Sequence, residues 1–484
     1  MISLVNQFEI RFRLIDRSNN IFVFFYFIVR QMAAKFLIIN TKIVNEGKIL
    51  EGSIFIEDQY IREVFDNKTI PETILELEDL RIIDGRGKYL LPGIIDDQVH
   101  FREPGLTQKG DLYTESKAAV AGGVTSFMDM PNTVPKATTI EVLEEKYKLA
   151  SQKSLANYSF FLGATNDNFA EIEKCNATRI CGVKVFMGSS TGNMLVDNPE
   201  SLEKIFSGSP LLIAVHAEDE PIIQENIRIF KEKYGEDIPI EAHPLIRSEE
   251  ACFKSSEKAV SLAKKHGARL HLLHLSTARE INLLDNSLPL KDKKITGEVC
   301  VHHLWFDDRD YKILGSKIKW NPAIKKESDK LGLLASVLNN KIDIIATDHA
   351  PHLIEEKKHP YLSCPSGAPL IQHSLIVMLE LYHQGAISLE KIVEKMCHAP
   401  SIVYRINKRG FIRPGYFADL VLVDIESPWE VNPSNILYKC GWSPLEGKIF
   451  RSRVTHTFVN GHMVYSNGKF DENCKGMRLE FNRK

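Results

Sequence analysis

Residues 91–105 read Leu-Pro-Gly-Ile-Ile-Asp-Asp-Gln-Val-His-Phe-Arg-Glu-Pro-Gly. An apolar run at 91–95 leads into a string of ionisable residues and stops at Pro-Gly. Similar apolar runs recur at 124–130, 158–162, 182–187, 211–216, 270–275, 295–302 and 342–347. Segments with helical periodicity separate many of them, for example 140–151, 249–266 and 326–339. Apolar runs alternating with helices indicate parallel strands covered on both faces. Eight such units predict an α/β protein built on a (β/α)8 barrel of the TIM type.

The flanks have a different texture. Residues 36–90 are strand-rich and punctuated by Asn45-Glu-Gly, Glu51-Gly and Asp84-Gly-Arg-Gly, and residues 410–470 repeat that character. Asn460-Gly461 between two apolar runs is a hairpin signal. The two flanks are expected to pair into one small composite β-domain, residues 32–90 with 406–484, beside a barrel at 91–405. Residues 1–31 stand apart. Their apolar stretch, 21–29, follows Arg11, Arg13 and Arg17, but a membrane span needs roughly 20 apolar residues. No small-x-small cleavage site follows. Residues 1–31 are expected to be a non-native or disordered extension, with translation starting at Met32.

The balance of 61 basic and 63 acidic residues gives a formal net charge of −2, and no long single-sign run is present, so a nucleic-acid partner is not expected. The eight cysteines contain no C-x-x-C pair. They read as reduced thiols of a cytoplasmic protein. A small-molecule substrate is expected, with no membrane partner; a homodimer is the base-rate expectation.

Catalytic groups of a β/α barrel come from the C-terminal ends of its strands. Strict alternation on the first strand points Asp96, Gln98 and His100 the same way. Lys184 sits inside the fourth apolar run, where an ammonium is costly unless paired or modified. His216 ends the fifth run, His274 lies in the sixth, His302 and His303 close the seventh, and Asp348 and His352 follow the eighth. Singly, a strand-end histidine is a satisfied polar residue and an aspartate after a strand is a helix cap. Together, His100, His216, His274 and Asp348 are the ligand types zinc favours. Lys184 cannot bind metal as an ammonium, but as a carbamate formed with carbon dioxide it offers two oxygens able to bridge two ions.

His100-Phe-Arg-Glu-Pro-Gly, Met130-Pro-Asn132, Asn321-Pro and Asp348-His-Ala-Pro-His352 resemble the motifs of dihydroorotases in the amidohydrolase superfamily. The resemblance runs from about Met32 to the C-terminus. The wording Asp-Asp-Gln-Val-His is similar to that of a Bacteroidetes-type group. The resemblance implies closure and hydrolysis of a cyclic amide, dihydroorotate to N-carbamoyl-L-aspartate, in pyrimidine biosynthesis. It implies one or two Zn²⁺ ions held by His100, Asp348, carboxylated Lys184, His216 and His274, with Asp348 as acid–base. It further implies that Arg102, Asn132 and His352 hold the substrate carboxylate, and that Asn321 and the Pro365-Ser-Gly367 loop touch the ring amides. One departure stands out. The first-strand pattern is His-x-His, and here its first position is Gln98, a weaker zinc ligand than imidazole. Allantoinase, dihydropyrimidinase and an inactive structural subunit are the alternative readings. The resemblance leaves His302 and His303 unassigned.

Overall fold

The computed structural model describes residues 35–66, 69–188 and 194–483. The expectations for residues 1–31 and Met32 lie outside them. The eight barrel strands are β1 (Ile94–Val99), β2 (Val124–Asp129), β3 (Asn157–Phe160), β4 (Val183–Phe186), β5 (Ile213–His216), β6 (Leu270–Leu272), β7 (Ile295–Cys300) and β8 (Ile344–Ala346). Neighbours pair in parallel and in sequence order. Beyond Phe161 the chain of β3 continues into Leu162–Gly163, which pairs with β4. The ring closes between its last and first strands: Val99 bridges His349, and the His100 amide donates to the His349 carbonyl at 2.7 Å. Closure therefore places His100 and Asp348 side by side.

Inside the ring, Ile95, Met128, Phe161, Ala214, Leu273, Ile344 and Tyr404 form one apolar plug. Burying a leucine or phenylalanine in such a plug stabilises the fold by about 1.5–3 kcal/mol. Leu479 and Phe481 from the C-terminal segment belong to the same cluster. Arg483 donates to the carbonyls of Tyr404, Ile180 and Cys181, so the chain's end is tied across the base of the barrel.

The outer helices follow their local signals. Glu249–His266 starts at a Ser248 cap, whose hydroxyl accepts from the Ala251 amide, and ends at Gly267 in the left-handed conformation. Leu112–Ala121 begins on Asp111, which accepts from the Tyr113 and Thr114 amides.

A nine-stranded sheet packs beside the barrel. Five of its strands precede the barrel (Lys35–Asn45, Lys48–Glu57, Tyr60–Asp66, Leu80–Asp84, Tyr89–Pro92) and four follow it (Leu420–Asp424, Arg453–Val459, His462–Ser466, Lys469–Phe470). The flanks join where Tyr89–Pro92 pairs with Lys35–Asn45 on one side and Leu420–Asp424 on the other. Asn460 and Gly461, at φ 52° and 76°, make the tight turn between two of the later strands. A Cβ on Gly461 would lie 1.9 Å from the Asp58 carbonyl oxygen, so this turn requires glycine.

Two details depart from the sequence reading. The run at 91–95 is divided: Leu91 lies in the outer sheet, and the barrel strand begins at Ile94, after Pro92-Gly93. The seventh run also stops early. β7 ends at Cys300, and His302 and His303 lie on the short helix Val301–Trp305.

Candidate active site

The C-terminal ends of the strands converge on two groups of side chains. The first belongs to the β1–β8 seam. His100 Nε2 lies 3.2 Å from Asp348 Oδ1, and the Gln98 amide donates to that same oxygen at 3.2 Å. His100 Nδ1 is 2.8 Å from Asn132 Oδ1. An amide oxygen only accepts, which assigns a proton to Nδ1, while Nε2 faces Asp348. Asn132, expected to bind substrate, thus also orients His100.

The second group sits on β5 and after β6. His216 Nδ1 and His274 Nε2 face each other at 2.9 Å. His216 Nε2 donates to Glu218 at 2.9 Å, leaving Nδ1 as the free lone pair. Glu218 is fully buried and pairs with Arg247. Burial opposes its charge, but Arg247 and His216 outweigh that and hold its pKa down at about 2. The His274 amide donates to Glu298 Oε1 at 2.9 Å, which fixes the turn after β6. Burial keeps both imidazoles neutral, His274 well below the usual range.

Lys184, on β4, stands between the groups. Its charge acts on His216 and His274, and the charge of Asp348 acts on it. Burial dominates and lowers its pKa to about 7. It makes no ion pair among the described residues; its Nζ lies 4.7 Å from the centroid of the Phe186 ring. Imidazole nitrogens that face a carboxylate and each other, beside an amine whose charged form burial disfavours, fit a cation. The donor set suits a borderline ion of the zinc type.

A basic corner adjoins Asp348. Arg102 is buried, its Nε donates to the Pro351 carbonyl at 3.0 Å, and one terminal nitrogen lies 3.0 Å from His352 Nε2. Lys109 donates to His352 Nδ1 at 3.0 Å and pairs with Glu356 at 2.7 Å. His352 Nε2 also lies 3.1 Å from the Ser366 carbonyl oxygen. Burial, then the charges of Arg102 and Lys109, keep that ring neutral. Asn321 Oδ1 is buried without a hydrogen-bond partner, an acceptor aimed at no protein donor. Gly367 has φ 123°, and a Cβ there would meet the Ala350 oxygen at 2.6 Å. Lys357 holds this loop by donating to the carbonyls of Pro365 and Gly367 at 2.8 and 2.9 Å.

Arg102, His274 and Asp348 all adopt positive φ, at 69°, 38° and 46°. Such conformations cost on the order of 1–3 kcal/mol each and cluster where geometry serves function. Their surroundings hold them in place. Asp129 accepts from the Phe101 amide and pairs with buried Lys146, while the Trp320 indole donates to the Asp348 carbonyl at 3.3 Å. His349 donates to Glu115 at 2.9 Å and accepts from the Leu370 amide at 3.0 Å.

Strict alternation on β1 fails. Its pairing is irregular between Asp96 and Val99. Asp96 turns to the Thr347 hydroxyl, 2.6 Å away, while Asp97 lies 3.3 Å from His271. His271 also meets Glu298 at 3.2 Å. Burial opposes its protonation, but Asp97 and Glu298 raise its pKa to about 9, while burial and Asp97 raise that of Glu298, so a buried histidine–carboxylate triad lies beneath the site. Sequence reasoning missed Glu218, Arg247, Glu298 and this triad. A glutamate two residues past a strand-end histidine was the only local signal for any of them.

Comparison with known proteins fits this geometry. The amidohydrolase family pattern matches residues 89–464. A dihydroorotase of Pyrococcus furiosus is 31% identical over 447 residues, covering 90% of this chain and 96% of that protein. One from Pyrococcus abyssi is 31% identical over 446 residues, covering 92% and 98%. Among solved structures, the L-hydantoinase (dihydropyrimidinase) from Arthrobacter aurescens superposes with a TM-score of 0.85 at 26% identity, covering 92% of this chain and 99% of that one. A match over most of the chain, joined to a barrel whose strand ends gather these side chains, means that the chain belongs to the amidohydrolase family.

Proposed function

We propose that this protein is a dihydroorotase, hydrolysing the cyclic amide of dihydroorotate to N-carbamoyl-L-aspartate and closing it in reverse. The observation that carries the reading is the buried basic corner of Arg102, His352 and Lys109 within electrostatic reach of Asp348. With His352 neutral, Arg102 and Lys109 together carry two positive charges and Glu356 one negative. Lys109 is paired with Glu356, whereas Arg102 makes no ion pair among the described residues, which suits a substrate with a single carboxylate beside its ring. Arginine's planar fork matches that carboxylate. Relatives named dihydroorotase support the same choice.

His216 and His274 would hold one zinc ion, and His100 and Asp348 a second, with Lys184 bridging. A bound zinc supplies Lewis acidity for the amide carbonyl and lowers the pKa of water to about 7. Lys184 meets the requirement for its modification. Its amine is partly neutral near pH 7, adds carbon dioxide through its lone pair, and releases one proton as the carbamate forms. Asp348 takes the proton of the attacking water and delivers it to the ring nitrogen as the C–N bond breaks. In synthesis it removes that proton from the ureido nitrogen. Asn321 Oδ1 accepts from a ring N–H, and the Arg102 guanidinium fixes the carboxylate.

The test is parallel assay of dihydroorotate, allantoin and a dihydropyrimidine with zinc and bicarbonate supplied. Preferential turnover of dihydroorotate is expected. Preference for either other substrate would overturn the assignment, and inactivity on all three would favour a non-catalytic subunit.

A further inference from the structure

Beyond the reading above, a second set of ligand-type side chains lies at the end of β7. Cys300, His302 and His303 are all buried, and their ligand atoms lie within 4.8 Å of one another. Both ring nitrogens of His302 and Nδ1 of His303 are buried without a hydrogen-bond partner. An unsatisfied buried polar group costs about 1–3 kcal/mol, so three on adjacent residues need a physical reason. Packing supplies part of one. The His302 ring stacks on Trp320, with centroids 4.1 Å apart and planes at 7°. Stacking occupies the ring's face and leaves its nitrogens unanswered.

The edges of the rings are informative. His303 Nε2 donates to the Pro322 carbonyl at 3.2 Å, which leaves the Nδ1 lone pair pointing into the cluster. A carbonyl on one edge and a bare nitrogen on the other is how metal-ligating histidines are oriented. The two ring centroids are 4.2 Å apart. Tetrahedral zinc sites set their ligand atoms about 3.3–3.8 Å apart, from bonds of roughly 2.0–2.3 Å. Small side-chain rotations would bring this set to that spacing.

We propose that Cys300, His302 and His303 form a transition-metal site, taking an ion of the zinc class through one thiolate and two imidazoles. It adjoins the pocket of His100, Lys184, His216, His274 and Asp348 but shares none of those side chains, and does not depend on the substrate assignment. Thiolate and imidazole ligands select late first-row ions over magnesium or calcium. Without an ion, burial keeps the thiol protonated and both imidazoles neutral. Ion binding therefore forms the metal–sulfur bond and releases the thiol proton to solvent. The Cys300 thiol donates to Gln98 Oε1 at 3.9 Å.

The full-length protein, stripped of metal and reloaded with cobalt(II) alone, provides the test. A near-ultraviolet thiolate-to-cobalt charge-transfer band is expected, because the pocket of histidines, lysine and aspartate contains no sulfur. The band should disappear in Cys300→Ser, lose most of its intensity in His302→Asn and His303→Asn, and persist in His216→Asn. Absence of the band from the wild-type protein, or its survival in Cys300→Ser, would overturn the proposal. Should that variant fail to fold, X-ray absorption of the zinc-loaded wild type decides instead. A sulfur scatterer in the metal shell supports the site, and a shell of nitrogen and oxygen alone refutes it.

Discussion

Glu218→Gln separates positioning of the proposed metal ligands from their chemistry. Glu218 is fully buried, orients His216 through a 2.9 Å hydrogen bond, and neutralises Arg247. Its pKa falls from 4.5 to about 2 because Arg247 and His216 outweigh the cost of burial. That depression corresponds to about 3 kcal/mol of interaction with the ionised form, by the conversion of about 1.4 kcal/mol per pH unit. Glutamine keeps the size and one acceptor but loses the charge, leaving Arg247 buried against a neutral group. The variant should therefore lose about 3 kcal/mol of stability at pH 7. The sign follows from the depressed pKa. The contribution is complete above pH 4.5 and is lost as pH falls toward 2, so the gap between wild type and variant should close over that window. Loss of an orienting partner of this kind lowers metal affinity about 10–100-fold. Urea unfolding at pH 7 and pH 3, with chelator competition for zinc, measures both effects. A variant within 0.5 kcal/mol of wild type on the ~1 kcal/mol scale of ordinary substitutions, with unchanged zinc affinity, would refute the reasoning.

Arg102→Met should raise KM for dihydroorotate more than it lowers kcat, with kcat/KM falling about 10–150-fold for a lost charge-assisted pair of roughly 1.5–3 kcal/mol; steady-state kinetics check this. Gly367→Ala forces a Cβ to within 2.6 Å of the Ala350 oxygen at φ 123°. It should displace the loop and cost on the order of 1–3 kcal/mol of stability, read by thermal unfolding together with KM. Reactivation of protein freed of metal and carbon dioxide should need bicarbonate as well as zinc, and its initial rate should rise with pH through about 7 as the Lys184 amine loses its proton. Lys184→Met should not reactivate under any bicarbonate concentration.

The barrel was legible because its signals are local. The helix Glu249–His266 carries its own cap at Ser248 and its own stop at Gly267, and its bounds read directly from those residues. Strand-end histidines were legible for the same reason: each ends an apolar run. Pairings across the barrel were not. Arg247 meets Glu218 from a different element, and nothing near either residue announces the other. Glu298 reads as part of a strand until the turn of β6 delivers the His274 amide to it. The period-two rule grouped Asp96 with Gln98 and His100, but the pairing of β1 slips between Asp96 and Val99. That irregularity belongs to barrel closure, where β1 must match both β2 and the segment after β8. The split of the run at 91–95 has a similar origin, since an apolar residue is equally at home in the outer sheet and in the barrel.

Gln98 shows how one substitution within a motif redistributes a site. A histidine there would present a lone pair beside His100. The amide instead has a donor end and an acceptor end, and the structure uses both. Its nitrogen donates to Asp348 Oδ1 at 3.2 Å, while its oxygen faces Cys300 Sγ at 3.9 Å. In this orientation Gln98 holds the Asp348 carboxylate in place and turns its own oxygen away from His100. Turning the amide over would bring its oxygen toward His100 and Asp348 and aim its N–H groups at Cys300, a favourable arrangement only once that thiol has become a thiolate. The amide's orientation thus links the charge at Cys300 to the ligand supply at His100. On the proposed metal assignment, the number of ions held beside Lys184 would therefore depend on β7 as much as on the two strands whose seam carries His100 and Asp348.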